Sequence, residues 1–191
     1  MKKLILLLST TLLLSTATMA QHAFTPVTGS ELSVGLEGAL PLGGWDYYDG
    51  TSASSKIADF GVGLTLKYAY NFNETVAATF QTGYIYFPGK DLGGAKLNVG
   101  QIPIKAGVRL SMNSFYLEPQ IGVSSINVKG KNTIENISAT GSTSAFTYAI
   151  GVGARLSNAV DLGLRYEAMS NEGSMSFLGL RLGYMIPFNK H

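Results

Sequence analysis

Ten charged side chains are the most chemical part of this sequence: Glu37, Lys67, Lys105, Arg109, Glu118, Arg155, Asp161, Arg165, Glu167 and Arg181. Each falls on the phase of a two-residue alternation that is otherwise filled by Gly, Ala, Ser and Thr. Acids and bases on one shared, inward face should pair with one another, because burying an unpaired charge is very costly. Two roles follow. The set is either an ion-paired plug that stabilises a closed structure, or the lining of a narrow, anion-preferring path with Lys105, Arg109, Arg155 and Arg181 as its selective groups.

Catalysis has little to draw on. The only histidines are His22 and His191, near the two ends, and there is no cysteine, so Ser-His-Asp, Cys-His and histidine-based metal arrangements are not expected. Asp46 and Asp49 could at most hold a cation weakly, and neither a cofactor nor a resident metal is expected. Gly61-Val62-Gly63 and Gly151-Val152-Gly153 sit within strand-like runs with no helix after them to receive a phosphate, so they do not read as nucleotide loops. A second cluster, Trp45, Asp46, Tyr47, Tyr48 and Asp49, holds the only tryptophan. The cluster is expected to pack on the barrel rim or mark the outer membrane interface; exposed Trp and Tyr are also common contact residues, so if the protein binds a partner this loop and the polar stretch 129–143 are where it should bind.

The elements that must position these residues are strands. In Phe60, Val62, Leu64, Leu66, Tyr68 and Tyr70 the apolar residues alternate with Asp59, Gly61, Gly63, Thr65, Lys67 and Ala69. Period 2 places alternate side chains on opposite faces of a strand. The same pattern predicts strands near 31–41, 58–71, 75–87, 98–111, 115–128, 144–157, 160–170 and 174–188, an all-β chain without a helix beyond its leader. Asn71-Phe72-Asn73-Glu74, Met112-Asn113-Ser114 and Asn158-Ala159 read as tight turns, whereas 42–57, 88–97 and 129–143 read as long loops. Short connections at one end and long ones at the other suit an up-and-down antiparallel barrel in an outer membrane.

Composition decides which face points outward. Charged residues are 14% of the chain, where about 25% is usual, and Gly contributes 23 residues. A solvated face would carry many charges; here the small-residue face holds sparse ones and the other face is almost free of them, as in Ile102, Ile104, Ala106, Val108 and Leu110. The greasy stripes run about 9–11 residues, enough for a tilted strand to cross a bilayer. Tyr68, Tyr70, Phe72, Tyr84, Tyr86, Phe115, Tyr184 and Phe188 gather at strand ends, as aromatic belts at a membrane surface do.

Residues 1–20 read as a signal peptide: Lys2 and Lys3, an apolar run from Leu4 to Leu14, and a cleavage-like Thr18-Met19-Ala20 before Gln21. Residues 21–30 then form a short N-terminal segment and 31–191 the barrel. Without Lys2 and Lys3 the charge falls from +2 to 0, with 14 − 2 = 12 basic residues against 12 acidic ones, so nothing favours a nucleic-acid partner.

On these features the chain resembles the small eight-stranded outer-membrane barrels, the OmpA-like or OmpX-like proteins of the porin family. The resemblance spans Glu31 to Phe188 and includes the final strand Phe177-Leu178-Gly179-Leu180-Arg181-Leu182-Gly183-Tyr184-Met185-Ile186-Pro187-Phe188. That strand looks like a barrel-assembly signal, although the chain runs on through Asn189, Lys190 and His191. The resemblance implies an integral protein of the Gram-negative outer membrane, monomeric and not an enzyme, with lipid around it and the assembly machinery reading its last strand. The expected role is structural, or an interaction through surface loops with an extracellular or envelope partner. The alternatives are a narrow porin for ions or small solutes and, more remotely, a soluble lipocalin-like ligand-binding barrel.

Overall fold

The computed structural model describes residues 29–48, 54–90, 95–132, 137–171 and 173–187. The expected signal peptide at 1–20, residues 21–28, Asp49, Phe188 and both histidines lie outside the described residues. The described residues form ten strands: β1 (Gly29–Pro41), β2 (Asp46–Tyr48), β3 (Ser54–Lys56), β4 (Gly61–Asn71), β5 (Val76–Phe87), β6 (Ala95–Met112), β7 (Phe115–Asn132), β8 (Ile137–Arg155), β9 (Val160–Ser170) and β10 (Ser174–Pro187). Eight of them close into a barrel in the order β1-β10-β9-β8-β7-β6-β5-β4, while β2 and β3 form a separate two-stranded sheet. Every pairing in the barrel is antiparallel, and β1 closes it by pairing with β4 on one side and β10 on the other. Closure leaves no sheet edge in the hydrocarbon, where an unpaired backbone group would cost several kcal/mol (~2–7).

The two faces divide as period 2 requires. Leu36, Leu64, Ile121 and Leu180 stand outward at 64%, 59%, 62% and 52% exposure, an apolar surface that only lipid would cover. Between them the inward residues are buried. The turns follow their sequences: Asn73 Oδ1 accepts from the backbone amides of Thr75 and Val76, Ser157 Oγ from those of Ala159 and Val160, and Asn113 takes a left-handed φ of 55°. Asn tolerates that conformation better than most residues.

The loop end departs from expectation in three places. Residues 42–57 are not one open loop but carry the small β2–β3 hairpin, with Asp46 opposite Lys56. Stretch 88–97 gives way to β6 at Ala95, and most of 129–143 is strand, because β7 reaches Asn132 and β8 starts at Ile137. Gly130, Gly141 and the serines there carry turn-like composition, yet they continue the ladders begun lower in the wall, Gly130 opposite Ala139 and Gly141 opposite Val128. Since β8 pairs with β9 only up to Phe146 opposite Ser170, the outer ends of β6, β7 and β8 project as a three-stranded sheet beyond the rest of the wall.

Candidate functional site

The inward face holds a continuous ionic network in the middle and turn-end part of the barrel. Glu118 on β7 receives Lys67 Nζ at 2.9 Å and Arg109 Nε at 2.8 Å, and Gln120 donates to it at 2.7 Å. Glu31 on β1 takes Arg155 Nη2 at 3.0 Å and lies 3.9 Å from Arg109 Nη1. Glu37 takes Arg165 Nη2 at 2.6 Å. Glu167, fully buried, is paired with Lys105 and accepts from Gln101 at 2.6 Å, with Arg165 Nε at 2.9 Å. Arg181 spends its fork on Asp161 at 2.9 Å, Ser33 Oγ at 2.6 Å and Thr65 Oγ1 at 2.8 Å. Tyr116 ties the groups together, donating to Asp161 Oδ2 at 2.8 Å with the Arg109 guanidinium 4.5 Å from its ring centre.

All ten charged residues named from sequence are therefore buried on the inside. Sequence reading missed Glu31, which shares the odd-numbered phase of Glu37 but stood at the edge of the expected strand. It also missed the neutral partners Gln81, Gln101, Gln120 and Tyr116, whose types alone carry no inward signal. Counting Glu31, the described network has six bases and five acids: Lys67, Lys105, Arg109, Arg155, Arg165 and Arg181 against Glu31, Glu37, Glu118, Asp161 and Glu167.

The inward glycines are what let long side chains fit in so narrow a lumen. A Cβ on Gly183 would overlap both Asp161 Oδ1 and Arg181 Nη1, and one on Gly35 would lie 2.6 Å from Arg181 Nε. A cavity of about 20 Å³ borders Lys67, Gln81, Tyr116, Glu118, Gln120 and Arg181. Gln81 Nε2 and Gln120 Oε1, buried without a partner among the described residues, are a donor and an acceptor beside it. That volume suits one ordered water.

Toward the loop end the lining changes from ionic to apolar. Trp45, Phe87, Phe177, Ile85, Val99, Ile126, Met169 and Ala58 form one buried cluster. Trp45 is 1% exposed, its ring 4.4 Å from that of Phe87, and Phe87 in turn is 5.6 Å from Phe177. The indole Nε1–H donates to the carbonyl of Ser176 at 2.8 Å, and Ile57 N–H donates to the carbonyl of Trp45 at 2.7 Å, which folds the β2–β3 hairpin across the mouth. Trp45 thus packs against the barrel, the first of its two expected roles, and is not an exposed contact residue. Its ring gains more from the apolar cluster than from water, and its one polar atom is satisfied there. Asp46 is exposed beside it, Tyr47 and Tyr48 lie on β2, and Asp49 lies outside the described residues. No cluster of His, Cys, Asp or Glu fit to hold a metal occurs among the described residues.

A closed, antiparallel eight-stranded barrel with an apolar exterior and a charged, filled interior is the architecture of a small transmembrane β-barrel. The chain belongs to the outer membrane protein beta-barrel domain family, whose model matches residues 9–188. It is an integral outer-membrane protein of the Gram-negative type. Solved structures share the fold at low identity. The attachment invasion locus protein Ail of Yersinia pestis superposes with a TM-score of 0.63 at 16% identity, covering 84% of this chain and 100% of that one. The N-terminal barrel domain of Pseudomonas aeruginosa OprF gives 0.59 at 10% identity, over 83% and 98% of the two chains. Neisserial surface protein A gives 0.53 at 12%, over 84% and 98%. Ail has also been solved in complex with the heparin analogue sucrose octasulfate. No curated protein matches the sequence.

Proposed function

We propose that this protein is a sealed outer-membrane barrel that acts through its surface, not a pore and not an enzyme. The observation that carries the reading is the filled interior: an ionic network across the middle, an apolar cap around Trp45 above it, and a cavity of about 20 Å³ between buried side chains. A hydrated ion would have to break several buried pairs to pass, and separating a buried pair is strongly unfavourable at about 3–5 kcal/mol. The ten inward charges named from sequence, together with Glu31, serve as the plug. Trp45 anchors the cap, so contact falls to Asp46, Tyr47, Tyr48 and Asp49 and above all to the projecting ends of β6, β7 and β8.

Three further parts belong to this reading. Residues 1–20 direct export and are removed, the last strand presents Phe177 to Phe188 to the assembly machinery, and the mature barrel works as a monomer in lipid. That Ail, of the same fold, takes a soluble polyanion supports a role in surface contact for a barrel of this size. The test is solute flux: mature protein refolded into phosphatidylcholine vesicles, its folded state verified by heat-modifiable gel mobility, should leave entrapped chloride and small sugars in place. Rapid release would replace this reading with the narrow porin.

A further inference from the structure

One row of the inward face puts a neutral side chain where a carboxylate would be expected. Lys67 on β4 and Lys105 on β6 stand directly opposite Gln81 on its two sides, so an amide separates two buried ammonium groups. Gln81 Oε1 accepts from Gln120 Nε2 at 3.2 Å. Its own Nε2, a buried donor, has no partner among the described residues, and Gln81 borders the cavity of about 20 Å³.

Charge around that cavity is unbalanced. Lys67, Arg165 and Arg181 border it, and Glu118 is the one carboxylate among the described residues on its wall. Glu118 is itself shared between Lys67 and Arg109. The acids that hold Arg165 and Arg181, namely Glu37, Glu167 and Asp161, do not border the space. Gln120 Oε1, an unpartnered acceptor on the same wall, would suit a water, but it sets a partial charge against three full positive charges and one negative. In a low-dielectric interior the attraction between full charges exceeds a neutral hydrogen bond, so the lining favours an anion. Size then limits which one. The space takes a single body about as large as a water, which suits a monovalent halide and leaves out sulfate, phosphate and organic acids. Gly151 and Gly163 keep it open, and a Cβ on Gly151 would find its nearest neighbour at 3.5 Å, an ordinary contact.

We propose that the lumen holds one chloride ion, in the cavity bordered by Gln81, Lys67 and Arg181, where it accepts from the Gln81 amide and offsets the excess positive charge. The ion enters as the wall closes around it and stays as part of the plug. The site rests on the filled interior of the sealed-barrel reading, while ion binding and not conduction is what tests it.

The mature barrel is refolded and crystallised in sodium bromide, and anomalous scattering is recorded at the bromine edge. A peak beside Gln81 Nε2 is expected. In solution, urea unfolding in sodium chloride is compared with sodium gluconate at equal ionic strength. Chloride should raise the midpoint along a saturating curve, and at ten times its dissociation constant it multiplies the folding equilibrium constant about elevenfold. Gln81→Glu sets a carboxylate oxygen in place of Nε2, so this variant should lose both the bromide peak and the chloride dependence, with a midpoint in gluconate no lower than the parent's. Gly151→Ala keeps every charge but takes part of the space, and should raise the chloride needed for half-saturation. A cavity that holds only a water in bromide overturns the proposal. So does bromide bound at crystal concentration only, with no saturable chloride effect in solution, and so does a chloride effect equal in the parent and both variants. A barrel that binds bromide here and still conducts would sink the sealed-barrel reading and leave the site standing, so the two failures are distinguishable.

Discussion

The indole of Trp45 lies 4.4 Å from the ring of Phe87 and donates its N–H to the carbonyl of Ser176, 131 positions away in the chain. The contact joins the first long connection to β5 and to the start of β10, so a segment that could have waved in solvent is drawn into the barrel mouth.

Because Trp45 is the only tryptophan in the chain, its environment can be read directly. Emission of the folded barrel should be blue-shifted and poorly quenched by acrylamide, and should become red and quenchable on unfolding. Trp45→Ala should cost about 3–5 kcal/mol of unfolding free energy in a urea titration, as for other buried aromatic truncations. Red, quenchable emission from the folded state would place the ring in water and remove the cap.

Glu118 is the acid shared by Lys67 and Arg109, and its replacement leaves two buried cations short of a partner. Glu118→Gln should destabilise the barrel by about 3–5 kcal/mol, read as a lower urea midpoint of the heat-resistant gel band. The exposed pair of Lys90 with Asp59, at 2.7 Å, is the control: Asp59→Asn should cost no more than about 1 kcal/mol.

Gly183 marks where the lumen has no room for a side chain. Gly183→Val should displace the Arg181 guanidinium from Asp161, with Gly183→Ala intermediate, and the urea midpoints should fall in that order. An unchanged midpoint for the valine variant would mean that Arg181 has another place to go.

The outward phase should respond in the opposite sense to the inward one. Leu64 is 59% exposed on the lipid side of β4, three residues from inward, buried Lys67. Leu64→Arg should cost about 2–4 kcal/mol if the position lies near the midplane, measured by reversible unfolding in vesicles. A neutral result would place Leu64 outside the hydrocarbon.

Much of this fold was legible because strand faces are a local property. The run from Val62 to Tyr70 names its own lipid side, and Lys67 its inside, without knowledge of any neighbour. Partners are not local: Arg165 on β9 meets Glu37 on β1 only because β10 lies between them and the sheet closes. Trp45 stays open between packing and contact for the same reason, as glycines and acids surround it in sequence whereas Phe87 and Phe177 surround it in space. The outer ends of β7 and β8 escape notice because Gly and Ser usually signal a loop, and their strand state comes from ladders already started below. The β2–β3 hairpin, three residues to a strand, is too short for any period to show.

The central claim is that the ionic network and the Trp45 cap together close the lumen, and single-channel recording tests it most directly. The refolded mature protein should remain silent in a planar bilayer under applied voltage, with folding checked by heat-modifiable mobility in the same preparation. Discrete, reproducible conductance steps from the folded protein would contradict the account and turn Lys105, Arg109, Arg155 and Arg181 from a plug into the lining of a path.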